Sequence, residues 1–85
     1  MDERMLDGNA VAGVLQEVFA VEMTSALGTC DGCGVTSAVG ETHVFAGAGM
    51  VLRCPHCGNV LATIVRSDHR VWISFRGIRA LEVTV

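Results

Sequence analysis

The sequence predicts one small domain, α+β but mainly β, in which short antiparallel strands follow an N-terminal amphipathic helix. Three observations predict it. Eighty-five residues have room for a single core and no second domain. A 3.6-residue apolar period runs through residues 9–22 and then stops. After that, apolar residues alternate with polar ones or run in β-branched stretches, broken by glycines and short polar turns.

The helix is expected over "NAVAGVLQEVFAVE", residues 9–22. Val11, Val14, Leu15, Val18 and Phe19 recur at i, i+3, i+4, i+7 and i+8 and so share one stripe. Asp7 or Asn9 can cap its start, and Gly13 weakens its interior by about 1 kcal/mol relative to Ala. "VEMTSALGT" is either a short strand or a loop leading to the first cysteines. Residues 29–59 hold two cysteine loops joined by a hairpin. "ETHVFA" alternates, with Thr42 and Val44 on one side and His43 and Phe45 on the other; "AGAG" (46–49) turns, and "MVLR" returns. In residues 60–85, "VLATIVR" is followed by the turn "SDH". "RVWISFR" then places Val71, Ile73 and Phe75 on one face, and "IRALEVTV" alternates through Leu81, Val83 and Val85. This gives five or so strands, with the cysteine pairs in the turns before strands.

All the cysteines lie in two matching loops, "CDGCG" and "CPHCG". The spacing Cys30-x2-Cys33, twenty intervening residues, Cys54-x2-Cys57 is that of a tetrathiolate metal site. Two thiolates at i and i+3 of a tight turn reach two corners of a tetrahedron with metal–sulfur bonds of about 2.3 Å. Gly34 and Gly58 let the backbone turn so that N–H groups point at sulfur and share its negative charge. One zinc per chain is the expected cofactor, and iron suits the same donors. Disulfides would suit an exported chain, but "MDERMLDG" is acidic rather than a basic export start, so a cytoplasmic protein is expected.

At these residues the chain resembles the zinc-ribbon class of rubredoxin-like folds, with Cys30–Gly34 and Cys54–Gly58 matching the two knuckles. That likeness implies a rubredoxin-like zinc ribbon behind the helix. Rubredoxins proper hold iron for one-electron transfer; this chain departs from them in lacking tyrosine, in having one tryptophan and in its N-terminal helix. The order "LDGNAVAGVLQEVFAVEMTSA…CxxCG…HVF…CPHCG…LATIVR…RVWISFRGIRAL" is also similar to a family of short actinobacterial proteins of unknown function. That similarity implies an accessory role beside flavin-dependent or molybdopterin oxidoreductases.

No catalytic constellation is legible. All four cysteines are committed to metal. His56 sits inside the second knuckle, as an exposed residue tuning the site's charge or as a substitute for a thiolate; His43 and His69, in a strand and a turn, read as surface or packed histidines. The expectation is therefore a non-enzymatic interaction or accessory module without a small-molecule substrate. Apolar residues make up 51% of the chain, more than so small a fold can hide, which points to a protein partner or a homo-oligomer. No apolar run approaches the roughly 20 residues that a membrane-spanning helix needs. Residues 1–52 carry seven acids against Arg4, and residues 53–85 carry five arginines against Asp68 and Glu82. A net charge of −3 without lysine argues against general nucleic-acid binding. Two surfaces are candidates for a partner. One is the helix stripe Val11, Val14, Leu15, Val18 and Phe19, whose other role is core packing. The second is Arg66, Arg70, Trp72, Arg76 and Arg79, whose other role is a solvated edge with arginine stems covering apolar surface.

Overall fold

The computed structural model describes residues 5–20 and 22–84. Among them the chain forms eight strands and one α-helix, mostly antiparallel β, in two sheets. The strands are β1 (Met5–Asp7), β2 (Leu27–Cys30), β3 (Thr36–Ala38), β4 (His43–Ala46), β5 (Met50–Arg53), β6 (Val60–Arg66), β7 (Val71–Ser74) and β8 (Ile78–Glu82). One sheet has the order β1-β4-β5-β6-β7 and the other β3-β2-β8, with every pairing antiparallel.

The helix is shorter than its apolar period predicts. Asp7 accepts the Asn9 N–H at 3.0 Å and starts a 3-10 turn over Gly8–Val11; the α-helix proper, α1, spans Ala12–Phe19. It ends where Ala20 adopts a left-handed conformation, φ 57°, and sends its N–H to the Gln16 carbonyl at 3.0 Å. Residue 21 of the expected helix lies outside the described residues. Glu22 then organises a turn: its carboxylate accepts the N–H of Thr24 at 2.7 Å, the N–H of Ser25 at 3.2 Å and both hydroxyls.

Val11 and Leu15 of the helix stripe pack on Val44, Leu52, Ala62 and Ile64, the inward residues of β4, β5 and β6. Val11 and Val44 are wholly buried, each contributing about 1.5–3 kcal/mol. Val14 and Phe19 lie partly against this core, joined by Val71, Ile73 and Phe75, as the alternation of "RVWISFR" predicts. Leu81 and Val83 also reach it, which ties the second sheet to the first. Val85 lies outside the described residues.

The expected hairpin is β4 and β5, with Thr42 and Val44 buried and His43 and Phe45 half-exposed on the opposite face. Strands β6, β7 and β8 fall on the three runs read as strands. Two strands and the division into two sheets were not legible. Both β1 and β3 have only three residues, too few to show an alternation.

Candidate metal centre

Each cysteine pair occupies a knuckle of the same construction. Cys30 closes β2 and Cys33 sits in the turn after it, so the first pair is not wholly outside regular structure, contrary to the sequence expectation. Cys54 follows β5 directly, and Cys57 ends the turn before β6. In the first knuckle the Gly34 N–H donates to the Cys30 carbonyl at 2.8 Å, and the Cys30 N–H to the Val35 carbonyl at 3.0 Å. In the second, Gly58 donates to Cys54 at 2.9 Å and Cys54 to Asn59 at 2.8 Å. The two closures need left-handed backbone at the residue after each pair, and Gly34 and Gly58 supply it with φ of 77° and 80°.

The knuckles bring all four Sγ atoms within 4.8 Å of one another. Cys30 and Cys57 are 3.7 Å apart across the gap, as are Cys33 and Cys54. Four sulfurs at about 2.3 Å from a central ion lie about 3.8 Å from each other in an ideal tetrahedron, so the donor set fits a tetrahedral metal. Backbone N–H groups face the sulfurs: His56 donates to Cys54 and Asn59 to Cys57, each at 3.4 Å. Cys30 and Cys54 are buried at 2% exposure, while Cys33 and Cys57 open to solvent.

The electrostatics show why a cation belongs there. The N–H of Cys33 pulls the Cys30 thiol down to about 7 against the opposing effect of burial, with the Gly32 N–H helping. At Cys57 the Asn59 N–H also lowers the pKa, but burial and the other three thiols outweigh it and push the group up to about 12. Cys33 is raised as well: the Val35 N–H stabilises its thiolate, while burial and the Cys54 and Cys30 thiols oppose it more strongly. One thiolate forms readily, and further ones need a positive ion between them. The four cysteines can therefore hold a metal ion.

The clasp between the knuckles was not read from the sequence. The β4–β5 hairpin connects the loops along the chain, but Gly77 and Ile78 brace them across it. The Asp31 N–H, inside the first knuckle, donates to the Gly77 carbonyl at 2.8 Å; the Gly77 N–H donates to the Leu61 carbonyl, just past the second, at 3.0 Å. Ile78 pairs with Cys30 in the β2–β8 ladder, and Leu61 and Ile78 pack around Cys30 and Cys54. A Cβ on Gly77 would stand 1.9 Å from the Val60 carbonyl oxygen, so the close approach admits only glycine. In sequence Gly77 shows only as a residue that permits a bend.

The candidate interaction residues are dispersed. Val11 and Leu15 are core and unavailable to a partner in the folded chain, Val14 and Phe19 are half-buried, and Val18 is exposed. The arginines do not form one face. Arg66 is held by Glu17 of α1, at 2.7 and 3.2 Å, and Arg79 lies on the other sheet beside the first knuckle. Arg70 and Arg76 are exposed on either side of β7, which carries the exposed Trp72. Arg53 was not singled out from the sequence, yet it caps the second knuckle, donating to the Gly58 carbonyl at 3.0 Å while its guanidinium lies over Phe45. None of the helices among the described residues is long and apolar enough to cross a membrane.

No curated protein and no solved structure matches the chain. The profile of a family of unknown function, DUF6510, matches residues 1–85. The match spans every residue of the sequence, both knuckles and the clasp included, and the chain belongs to the DUF6510 family.

Proposed function

We propose that the protein is a non-catalytic interaction or accessory module folded around one structural zinc, held by Cys30, Cys33, Cys54 and Cys57 in a rubredoxin-like zinc ribbon. The observation that carries this is the closure of the site: four sulfurs within 4.8 Å supply every donor that a tetrahedral ion takes. Catalytic zinc needs a position left for water or substrate, and a tetrathiolate leaves none. The matching knuckles, each ending in a left-handed glycine, support the ribbon likeness. A reducing compartment such as the cytoplasm suits four unpaired thiols. An oxidoreductase is the partner class implied by the family resemblance. The test is metal analysis of protein from native cells, followed by melting with and without a strong chelator. About one zinc per chain and loss of the folded state on chelation are expected; absence of metal, or an unchanged melting temperature, overturns the proposal.

One observation favours a second reading, an iron-loaded electron carrier. Cys33 and Cys57 are exposed, so an ion held there lies close to the surface where electrons can leave. Visible thiolate-to-iron charge-transfer absorption in native protein would decide for it. Nucleic-acid binding has less support, because the basic residues are divided between two sheets and Arg66 is neutralised by Glu17.

A further inference from the structure

The two sheets have four edges among the described residues: β1 and β7 in one, β3 and β8 in the other. An edge strand turns alternate N–H and C=O groups outward, and proteins blunt such edges with charge, proline, bulges or a very short span. Three of the four edges are blunted. Strand β1 has three residues and carries Asp7. Strand β3 also has three, and Glu41 accepts the Ala38 N–H at 3.1 Å. Strand β8 carries Arg79 and Glu82.

Strand β7 has none of these devices. Val71–Ser74 contains no charge and no proline, and its ladder with β6 has no register shift. Among the described residues no other strand pairs with it. Its outward side chain, Trp72, is 52% exposed and stands opposite Val65, itself 46% exposed; neither belongs to a core cluster. Arg70 precedes the strand and Arg76 follows it, both exposed and without a carboxylate in ion-pair reach among the described residues.

We infer that β7 is a docking edge for an extended, acidic segment of a partner protein, which adds to the five-stranded sheet as a sixth strand. This deepens the interaction role proposed above and rests on it. Main-chain pairing supplies the register, Trp72 and Val65 cover an apolar side chain of the segment, and the two arginines select carboxylates near its ends. The same charges disfavour a second copy. Antiparallel pairing of β7 with itself about Ile73 sets Arg70 of one copy opposite Arg76 of the other, and like charges directly opposite are destabilising.

The test uses the full, metal-loaded chain, labelled with 15N, and a synthetic peptide Glu-Val-Thr-Val-Thr-Val-Glu with blocked ends, beside its lysine-ended counterpart. The acidic peptide is expected to shift the β7 amides and the Trp72 indole N–H, and to bind at least about tenfold more weakly to the Arg70→Glu, Arg76→Glu variant. The lysine-ended peptide is expected not to bind. The inference is overturned by absence of shifts at millimolar peptide, by equal binding of both peptides, or by shifts located elsewhere. It is equally overturned by a concentration-dependent dimer that Trp72→Ala abolishes, which would make a second copy the occupant. Trp72→Ala is expected to retain the metal content and melting of the parent while losing the peptide. Failure of docking with metal and melting intact thus leaves the zinc module standing, whereas a metal-free, chelator-indifferent chain removes that module itself.

Discussion

Replacing Gly77 by alanine perturbs the clasp between the knuckles without touching a cysteine. The new Cβ would sit 1.9 Å from the Val60 oxygen and 2.8 Å from the Leu61 Cα, where real Cβ atoms stay beyond 3.0 Å. Both neighbours are backbone, so no side chain can swing aside and the strand itself must retreat by about 1 Å or more. That retreat weakens the two hydrogen bonds of the clasp, Asp31 to Gly77 and Gly77 to Leu61. At about 0.5–1.5 kcal/mol for each bond plus residual strain, the loss comes to roughly 2–4 kcal/mol. A domain of this length has only about 4–13 kcal/mol in total. Urea unfolding of the metal-loaded protein measures the loss, and competition against a calibrated chelator measures what reaches the metal. Gly77→Ala is expected to lower both stability and metal affinity, because the knuckles are no longer held in register. Gly47→Ala is the control: its Cβ would meet nothing within 4 Å and is expected to be nearly neutral. If Gly77→Ala falls within about 0.5 kcal/mol of the parent, where ordinary surface changes lie, the clasp does not brace the site.

Other outcomes follow from the same geometry. Gly13 lies in α1, exposed, with open space where a Cβ would go, so Gly13→Ala is expected to raise stability by about 0.5–1 kcal/mol in urea unfolding. Metal binding must displace protons from thiols such as Cys57, near 12, and Cys33, also raised. Affinity is therefore expected to fall as pH falls, by up to about tenfold per displaced proton per pH unit, in competition titrations at pH 6 and 8. Glu22 is held at about 2, first by the Thr24 hydroxyl and then by the Ser25 hydroxyl and the backbone, below its ordinary 4.5. Its folded-state pKa is depressed, so its stabilising contribution is present above pH 4.5 and is lost as pH falls from there toward 2. Carboxyl NMR at pH 4.5 is expected to show Glu22 fully ionised, and a half-titrated Glu22 signal would contradict the turn described for residues 22–25.

The cluster of four cysteines was legible because its geometry is local: two thiols three residues apart, with a glycine after each pair, fix a knuckle without help from the rest of the chain. The β4–β5 hairpin and the inward residues Val71, Ile73 and Phe75 were legible for a similar reason, since period-two alternation survives in a single strand. What brings the knuckles together was not. Gly77 acts through a contact with Val60 and Leu61, sixteen or more residues away, and sequence marks such a glycine only as a bend. The end of α1 at Ala20 is likewise invisible, because alanine favours helix and its left-handed conformation comes from the chain's need to turn toward β2. The arginines were grouped by proximity in sequence, which the two sheets then separated. That separation leaves the uncharged edge strand β7, with Arg70 and Arg76 beside it, as the more specific surface.

The central claim is that Cys30, Cys33, Cys54 and Cys57 together close the coordination of one metal ion. X-ray absorption at the metal edge of protein purified with its native metal tests it directly. Four sulfur scatterers at about 2.3 Å, with the edge energy of zinc, are the result expected. A shell containing nitrogen or oxygen, or fewer than four sulfurs, would contradict it.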